Sequence, residues 1–193
     1  MIESEVSIGL FQDIEAELNN YDLSVQSTEG LLWRRLTDIQ NKLMVDLRCK
    51  RITYMLYLWP GKKYYPIDDW VMEIMPNMRV NRDDFRPLVT LPAESISEDR
   101  RIIIQNYDTI QDGDVLILTV YRRPIGEKVD RATKPMVDSI FHQIMVDYVL
   151  SFYRKNNEEF KSREEVLNEA KKVRDRVNGL DATIFYPSNF VKF

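Results

Sequence analysis

The chain of 193 residues carries 27 Lys and Arg against 31 Asp and Glu, a formal net charge of −4 at pH 7, and 44% hydrophobic residues. That is enough chain for one domain with a real core, or a core plus extensions, and it is too apolar for a disordered polymer. The acidic balance excludes a global basic field that would draw it onto nucleic acid or anionic lipid, although a local patch stays open.

Residues 1–26 read as a lead-in with a short amphipathic helix over Leu10, Ile14 and Leu18 that ends at Asn19-Asn20. This opening is acidic and lacks the basic flank and long apolar run of a secretory signal. From Thr28 onward, Leu32, Leu36, Ile39, Leu43 and Leu47 recur at steps of three and four. That is one apolar stripe of a helix, with Ser27 or Thr28 as its cap. Residues 52–126 change character. Ile52 to Leu58, Trp70 to Met75, Arg101 to Gln105 and Val115 to Tyr121 are strand-prone, separated by prolines and by Asp112-Gly113-Asp114. The stretch 48–66 reads as an aromatic hairpin turning at Pro60-Gly61. Residues 77–99, rich in Asp, Arg, Pro and Ser, read as a long exposed loop of the kind that makes contacts or carries function.

Helix returns after Gly126. Pro135 suits a first turn, and Val137, Ile140, Phe141, Ile144, Met145, Tyr148, Val149 and Phe152 give a wide apolar face. Ser162 and Glu165 have the spacing of a capping box. Val166, Ala170, Val173 and Val177 form the stripe that follows, and Gly179 is placed to end that helix. Residues 181–193 show no helical period but hold Phe185, Tyr186, Phe190 and Phe193. The expected fold is α+β: a helical bundle built from residues 27–51 and 127–180, a small antiparallel sheet inserted as residues 52–126, and an aromatic tail.

Chemistry-bearing residues are sparse. The one histidine, His142, falls on an apolar helix face, where packing is the usual role. The one cysteine, Cys49, leaves no intrachain disulfide and suits a reducing compartment. Its neighbours Arg48, Lys50 and Arg51 would favour a thiolate, but no histidine stands near it in sequence, so a buried or bystander thiol is the favoured reading. Asp68-Asp69 and Asp83-Asp84 fit no calcium loop, and no glycine-rich phosphate loop occurs. No catalytic, metal or cofactor site is expected, and no apolar run approaches the ~20 residues of a membrane span.

Two surfaces remain. Tyr57, Trp59, Lys62, Lys63, Tyr64 and Tyr65 in the hairpin mix aromatics with cations, as single-strand nucleic-acid binders do. The same pattern also fits a small core edged by lysines. The tail, with Phe185, Tyr186, Phe190 and Phe193, either folds back on its own domain or anchors to a partner. Each aromatic buried is worth roughly 1.5–3 kcal/mol.

The layout resembles the head-to-tail adaptor proteins of short-tailed bacteriophages. The matching features are a helix ending in a basic run, then Gly61, Tyr64, Tyr65, Pro66, Trp70, Val71 and Ile74. The segment "VLILTVYRRP" closing at Pro124, the helix "FHQIMVDYVLSFY" and a charged helix over Arg163 to Asn178 follow. The resemblance covers about residues 28–180. It departs at Pro66, which directly follows Tyr65, and in the long excursion at 77–99. It implies a virion protein without catalysis that assembles in the host cytoplasm as a homo-oligomeric ring, a dodecamer. That ring would sit below the portal protein, extend the DNA channel without gripping the genome, and dock the next tail component. The hairpin would then be assembly surface, and the aromatic tail would reach the portal or a neighbouring subunit. The alternative is a nucleic-acid-binding α+β module using the hairpin at 48–66.

Overall fold

A computed structural model describes residues 4–23, 28–75, 79–81, 100–104 and 107–185. The fold is α+β, and the chain divides into two compact units, Met1–Cys49 with Glu127–Phe193, and Lys50–Gly126.

The first unit is helical. Helix α1 spans Glu5–Asn20 and buries Leu10, Phe11, Ile14 and Leu18. Helix α2 spans Glu29–Val45, and the predicted stripe is fully inside, with Leu36, Ile39 and Leu43 at 0% exposure. Thr28 occupies the N-cap position, but its side chain makes no capping bond. Residues 4–23 are therefore not a separate lead-in, because α1 contributes to the same core as α2. Helix α3, His142–Leu150, lies between a 3-10 turn at Ser139–Phe141 and another at Ser151–Tyr153. It packs against α1, α2 and α4, the last spanning Arg163–Phe185.

Pro135 does not begin that helix, which starts seven residues later at His142. Residues 127–137 instead run as irregular backbone held by side chains of the neighbouring helices. The Thr37 hydroxyl accepts from Val129 N–H at 3.0 Å, and Gln40 Oε1 accepts from Met136 N–H at 2.7 Å. The Ser7 hydroxyl donates to Thr133 C=O at 2.6 Å. Backbone without a ladder of its own must find such partners when buried. Val137 is buried from this segment, while Ile140 is 49% exposed and leaves the predicted apolar face.

The capping box on α4 is present: Glu165 N–H donates to Ser162 Oγ at 3.2 Å, and Ser162 N–H donates to Glu165 Oε2 at 2.6 Å. Lys161 bridges Asp147 and Glu169 at 2.8 and 2.7 Å, tying α3 to α4. Those hydrogen bonds, to Asp147 first, raise its pKa to about 12. Gly179 does not stop α4, which continues to Phe185. A glycine inside a helix costs about 1 kcal/mol relative to alanine and is tolerated.

The second unit is antiparallel β. Strand β1 (Arg51–Tyr57) pairs along its whole length with β6 (Val115–Arg122). Strands β3 (Val71–Ile74) and β4 (Arg79–Asn81) also pair with β6. Strand β2 (Tyr64–Pro66) pairs with β5 (Arg101–Ile103) in a separate two-stranded sheet. The stretch 48–66 is thus not a hairpin, since its two strands join different sheets. Pairing with β6 matches seven residues of β1, whereas the three residues of β2 could match only three. The longer ladder also sets Ile52, Tyr54 and Leu56 on the core face beside Leu116, Leu118 and Val120. Arg51 and Lys50 belong to this unit, and Arg79–Asn81 within the expected 77–99 loop form a strand. The remainder of that loop lies outside the described residues.

Asp112-Gly113-Asp114 makes the turn into β6. Gly113 adopts φ +88°, and the buried Asp114 carboxylate accepts from Gln111 N–H at 2.8 Å. Leu36→Ala should lower the stability of the helical unit by about 2–5 kcal/mol through transfer loss and a cavity. Ser162→Ala should lower it by about 0.5–2 kcal/mol through loss of the cap. Denaturant titration followed by helical circular dichroism measures both.

Candidate interaction surface

Strand alternation sorts the aromatic segment. Along β1 the odd positions Thr53, Met55 and Tyr57 are exposed, while Ile52, Tyr54 and Leu56 are partly buried against the sheet core. Tyr54 packs edge-on against Trp70 with ring centroids 5.4 Å apart, and the Arg122 guanidinium lies 5.5 Å from the Trp70 ring. These residues support the surface from beneath.

The turn that follows is locked by Tyr65, which is 1% exposed. Its hydroxyl accepts from Trp59 N–H at 2.8 Å and donates to Trp59 C=O at 3.1 Å. Gly61 supplies φ +76°, and Lys62 N–H donates to Trp59 C=O at 3.1 Å. Lys62 Nζ lies 5.0 Å from the Tyr65 ring centroid, and Lys63 Nζ lies 5.5 Å from that of Tyr64.

The six predicted residues therefore divide. Tyr65 is a structural clamp joined to Trp59 and Lys62, and Tyr64 meets Lys63. Tyr57, Trp59 and Tyr64 are exposed at 67%, 55% and 49%, with Met55 at 59% beside them. Sequence reasoning omitted Met55. Its signal was the odd-position parity with Tyr57. In the predicted tail, Phe185 is the last residue of α4. Its side chain and Tyr186, Phe190 and Phe193 lie outside the described residues.

The sparse chemical candidates take structural places. Cys49 is buried, and desolvation pushes its thiol up to about 12 despite the opposing charge of Arg174, so the basic neighbours in sequence do not activate it. At Asp68-Asp69 the loop is clamped by Arg100, which donates to the Asp68 and Val71 carbonyls at 2.7 and 2.6 Å. Arg123 Nε donates to Asp69 C=O at 2.7 Å. Asp83 and Asp84 lie outside the described residues. Among the described residues, no three His, Cys, Asp or Glu side chains gather to hold a metal, and no helix is long and apolar enough to cross a membrane.

A cleft of about 640 Å³ on the helical unit, lined in part by Phe152, Arg154, Lys155, Glu158 and Arg163, was not anticipated. The Phe152 ring is faced by Arg35 at 4.2 Å and Arg163 at 4.7 Å. Arg154 pairs with Glu165 at 3.0 Å, so part of the positive charge is compensated locally.

No family model matches the chain, and no curated protein matches its sequence.

Tyr65→Phe should remove both bonds to Trp59, lower the stability of the β unit by about 1–3 kcal/mol and speed exchange of the Trp59 amide. Tyr57→Ala should change stability by no more than about 0.5 kcal/mol. Amide hydrogen exchange reads both effects.

His142 provides a pH test. Burial lowers its pKa below the ordinary value, against an opposing hydrogen bond to the Val137 backbone. The unfolded chain therefore takes up the proton first as pH falls. Stability linked to His142 is present above about pH 6.5 and is lost as pH drops through the lower folded value. His142→Gln should flatten that part of the stability curve. The lowered carboxyls of Glu29, Asp130 and Glu165 act only at more acidic pH.

Proposed function

We propose that this chain is a structural virion protein, a head-to-tail adaptor that assembles as a ring below the portal, extends the DNA channel and docks the tail. The observation that carries the reading is the exposed set of large side chains, Met55, Tyr57, Trp59 and Tyr64. They are held on a paired sheet and a locked turn, within a unit inserted into a helical bundle. Aromatic and methionine side chains presented on rigid backbone are the chemistry of a protein–protein contact. The order of units also agrees with the layout that the adaptor resemblance implies. The acidic net charge suits a conduit wall, which should not hold the phosphates moving past it.

In this reading the helical unit supplies the packed body of each subunit, and the aromatic surface of the β unit meets a neighbouring component. The segment Tyr186 to Phe193 reaches the portal or an adjacent subunit. Imaging the purified protein mixed with portal-containing capsids should reveal a ring collar at the unique vertex. Deleting residues 186–193 should leave the helices intact and reduce collar formation. Bare vertices at saturating wild-type protein would reject the adaptor role.

A second reading, a nucleic-acid module, draws on the proximity of Lys62 and Lys63 to the exposed aromatics. Both ammonium groups already face tyrosine rings of their own chain. An oligonucleotide titration at low salt separates the two readings. The adaptor role predicts no saturable binding, whereas salt-dependent binding weakened by Lys62→Glu would favour the module.

A further inference from the structure

Strand β1 meets β6 through only one of its edges. Leu58 N–H donates to Asp114 C=O and Arg122 N–H donates to Lys50 C=O, both at 2.9 Å. With the register Arg51↔Tyr121 through Tyr57↔Val115, these bonds set the parity of the ladder. Even positions from 50 to 58 exchange hydrogen bonds with β6, and odd positions direct N–H and C=O away from it. Thr53, Met55 and Tyr57 therefore offer six backbone groups along the outer edge. Among the described residues, no strand pairs there.

Nothing in β1 protects that edge. The strand holds no proline, its register is unbroken, and its one charged residue, Arg51, stands at the start. Edge strands normally carry prolines, bulges or central charges to prevent pairing with another chain. By contrast, β3 carries a register shift between Val71 and Glu73. The residues that present the open backbone also place their side chains on the exposed face, with Met55 at 59% and Tyr57 at 67%.

We propose that β1 is a self-pairing edge: two copies of this chain join antiparallel through β1, centred on Met55, into one continuous sheet across a two-fold axis. In that register Thr53 stands opposite Tyr57 of the second copy, Met55 opposite Met55, and Tyr57 opposite Thr53. Each pair exchanges two hydrogen bonds, so all six outward groups are satisfied. Charge selects the direction. Parallel pairing would lay the two Arg51 side chains side by side. Antiparallel pairing separates them by about 27 Å, eight residue steps at ~3.4 Å each, and leaves each guanidinium on the ring and hydroxyl of its own Tyr121. The strand is thus its own complement in hydrogen bonding, and the antiparallel direction holds its one charge far from that of its copy, which favours a second copy over a foreign segment. This inference shares the exposed Met55 and Tyr57 with the adaptor reading but rests on the backbone edge of β1, so sedimentation tests it without the portal.

The test is sedimentation equilibrium of the full chain across a concentration series, with variants. The wild type should show a reversible monomer–dimer equilibrium. Thr53→Pro removes an outward N–H while breaking no bond to β6, an edge position where proline is tolerated, and should sediment as a monomer with an unchanged circular dichroism spectrum. Met55→Cys places a thiol on the axis, and a short bismaleimide should link it into covalent dimers. Cys49, at 7% exposure, should not react in the fold. Should Thr53→Pro fail to fold, Met55→Lys replaces it, placing two like charges together on the axis and driving the protein to monomer. A monomeric mass at every wild-type concentration would overturn the proposal. So would a dimer that survives the folded edge variant, or dimers that Met55→Cys does not link. Binding of an extended peptide from another protein to a strictly monomeric chain would reassign the edge to a foreign strand.

Discussion

Helix α3 must be shielded from water on nearly every side, and the helical unit is arranged around that requirement. Six of its nine residues are buried, and Met145 and Val149 are completely inside. One neighbouring helix covers only a stripe of another, so α1, α2 and α4 are all needed. Because α2 and α4 lie on opposite sides of a long insertion in sequence, the core cannot close until the chain has left and returned. The returning segment has no secondary structure with which to satisfy its backbone. Thr37, Gln40 and Ser7 perform that task from the core helices. These three polar side chains are as much part of the architecture as the leucine stripe.

In the β unit, β6 plays the corresponding role, since β1, β3 and β4 all pair with it. Its inward residues Leu116, Leu118 and Val120 are at 0% exposure. They share a core with Tyr65, Val71 and Ile102 from the strands around them. Two-residue periodicity then does two things at once on β1. It commits the even positions to the core face and to β6, and it leaves the odd positions outward in both side chain and backbone. The exposed Met55 and Tyr57 are therefore consequences of the same register that builds the core.

That division gives the aromatic segment its character. Tyr65, which alternation places on the face opposite Tyr64, is consumed in holding Trp59. Tyr57, Trp59 and Tyr64 remain for an external contact on a backbone that is already ordered, so little conformational freedom is left to lose on association. Lys62 and Lys63 lie 5.0 and 5.5 Å from the tyrosine rings of Tyr65 and Tyr64. The proposed adaptor role uses this surface as a protein contact.

The sequence by itself determined the α+β class, the inward stripe of α2, the capping box of α4 and the turn before β6. Each of these rests on contacts within a few residues, where spacing and side-chain chemistry decide. Four strand-prone runs and their apolar faces were legible for the same reason. The tertiary structure alone decided that 48–66 is no hairpin, because choosing β6 over β2 compares pairings some sixty positions apart with pairings next door. It alone decided that α3 begins after Phe141 rather than at Pro135, since Gln40 captures the intervening Met136 N–H from another helix. At Cys49 the structure agrees with the favoured sequence reading of a buried thiol, since desolvation raises its pKa against the opposing charge of Arg174. Local pattern sets what each segment can become, and competition among distant partners sets where it goes.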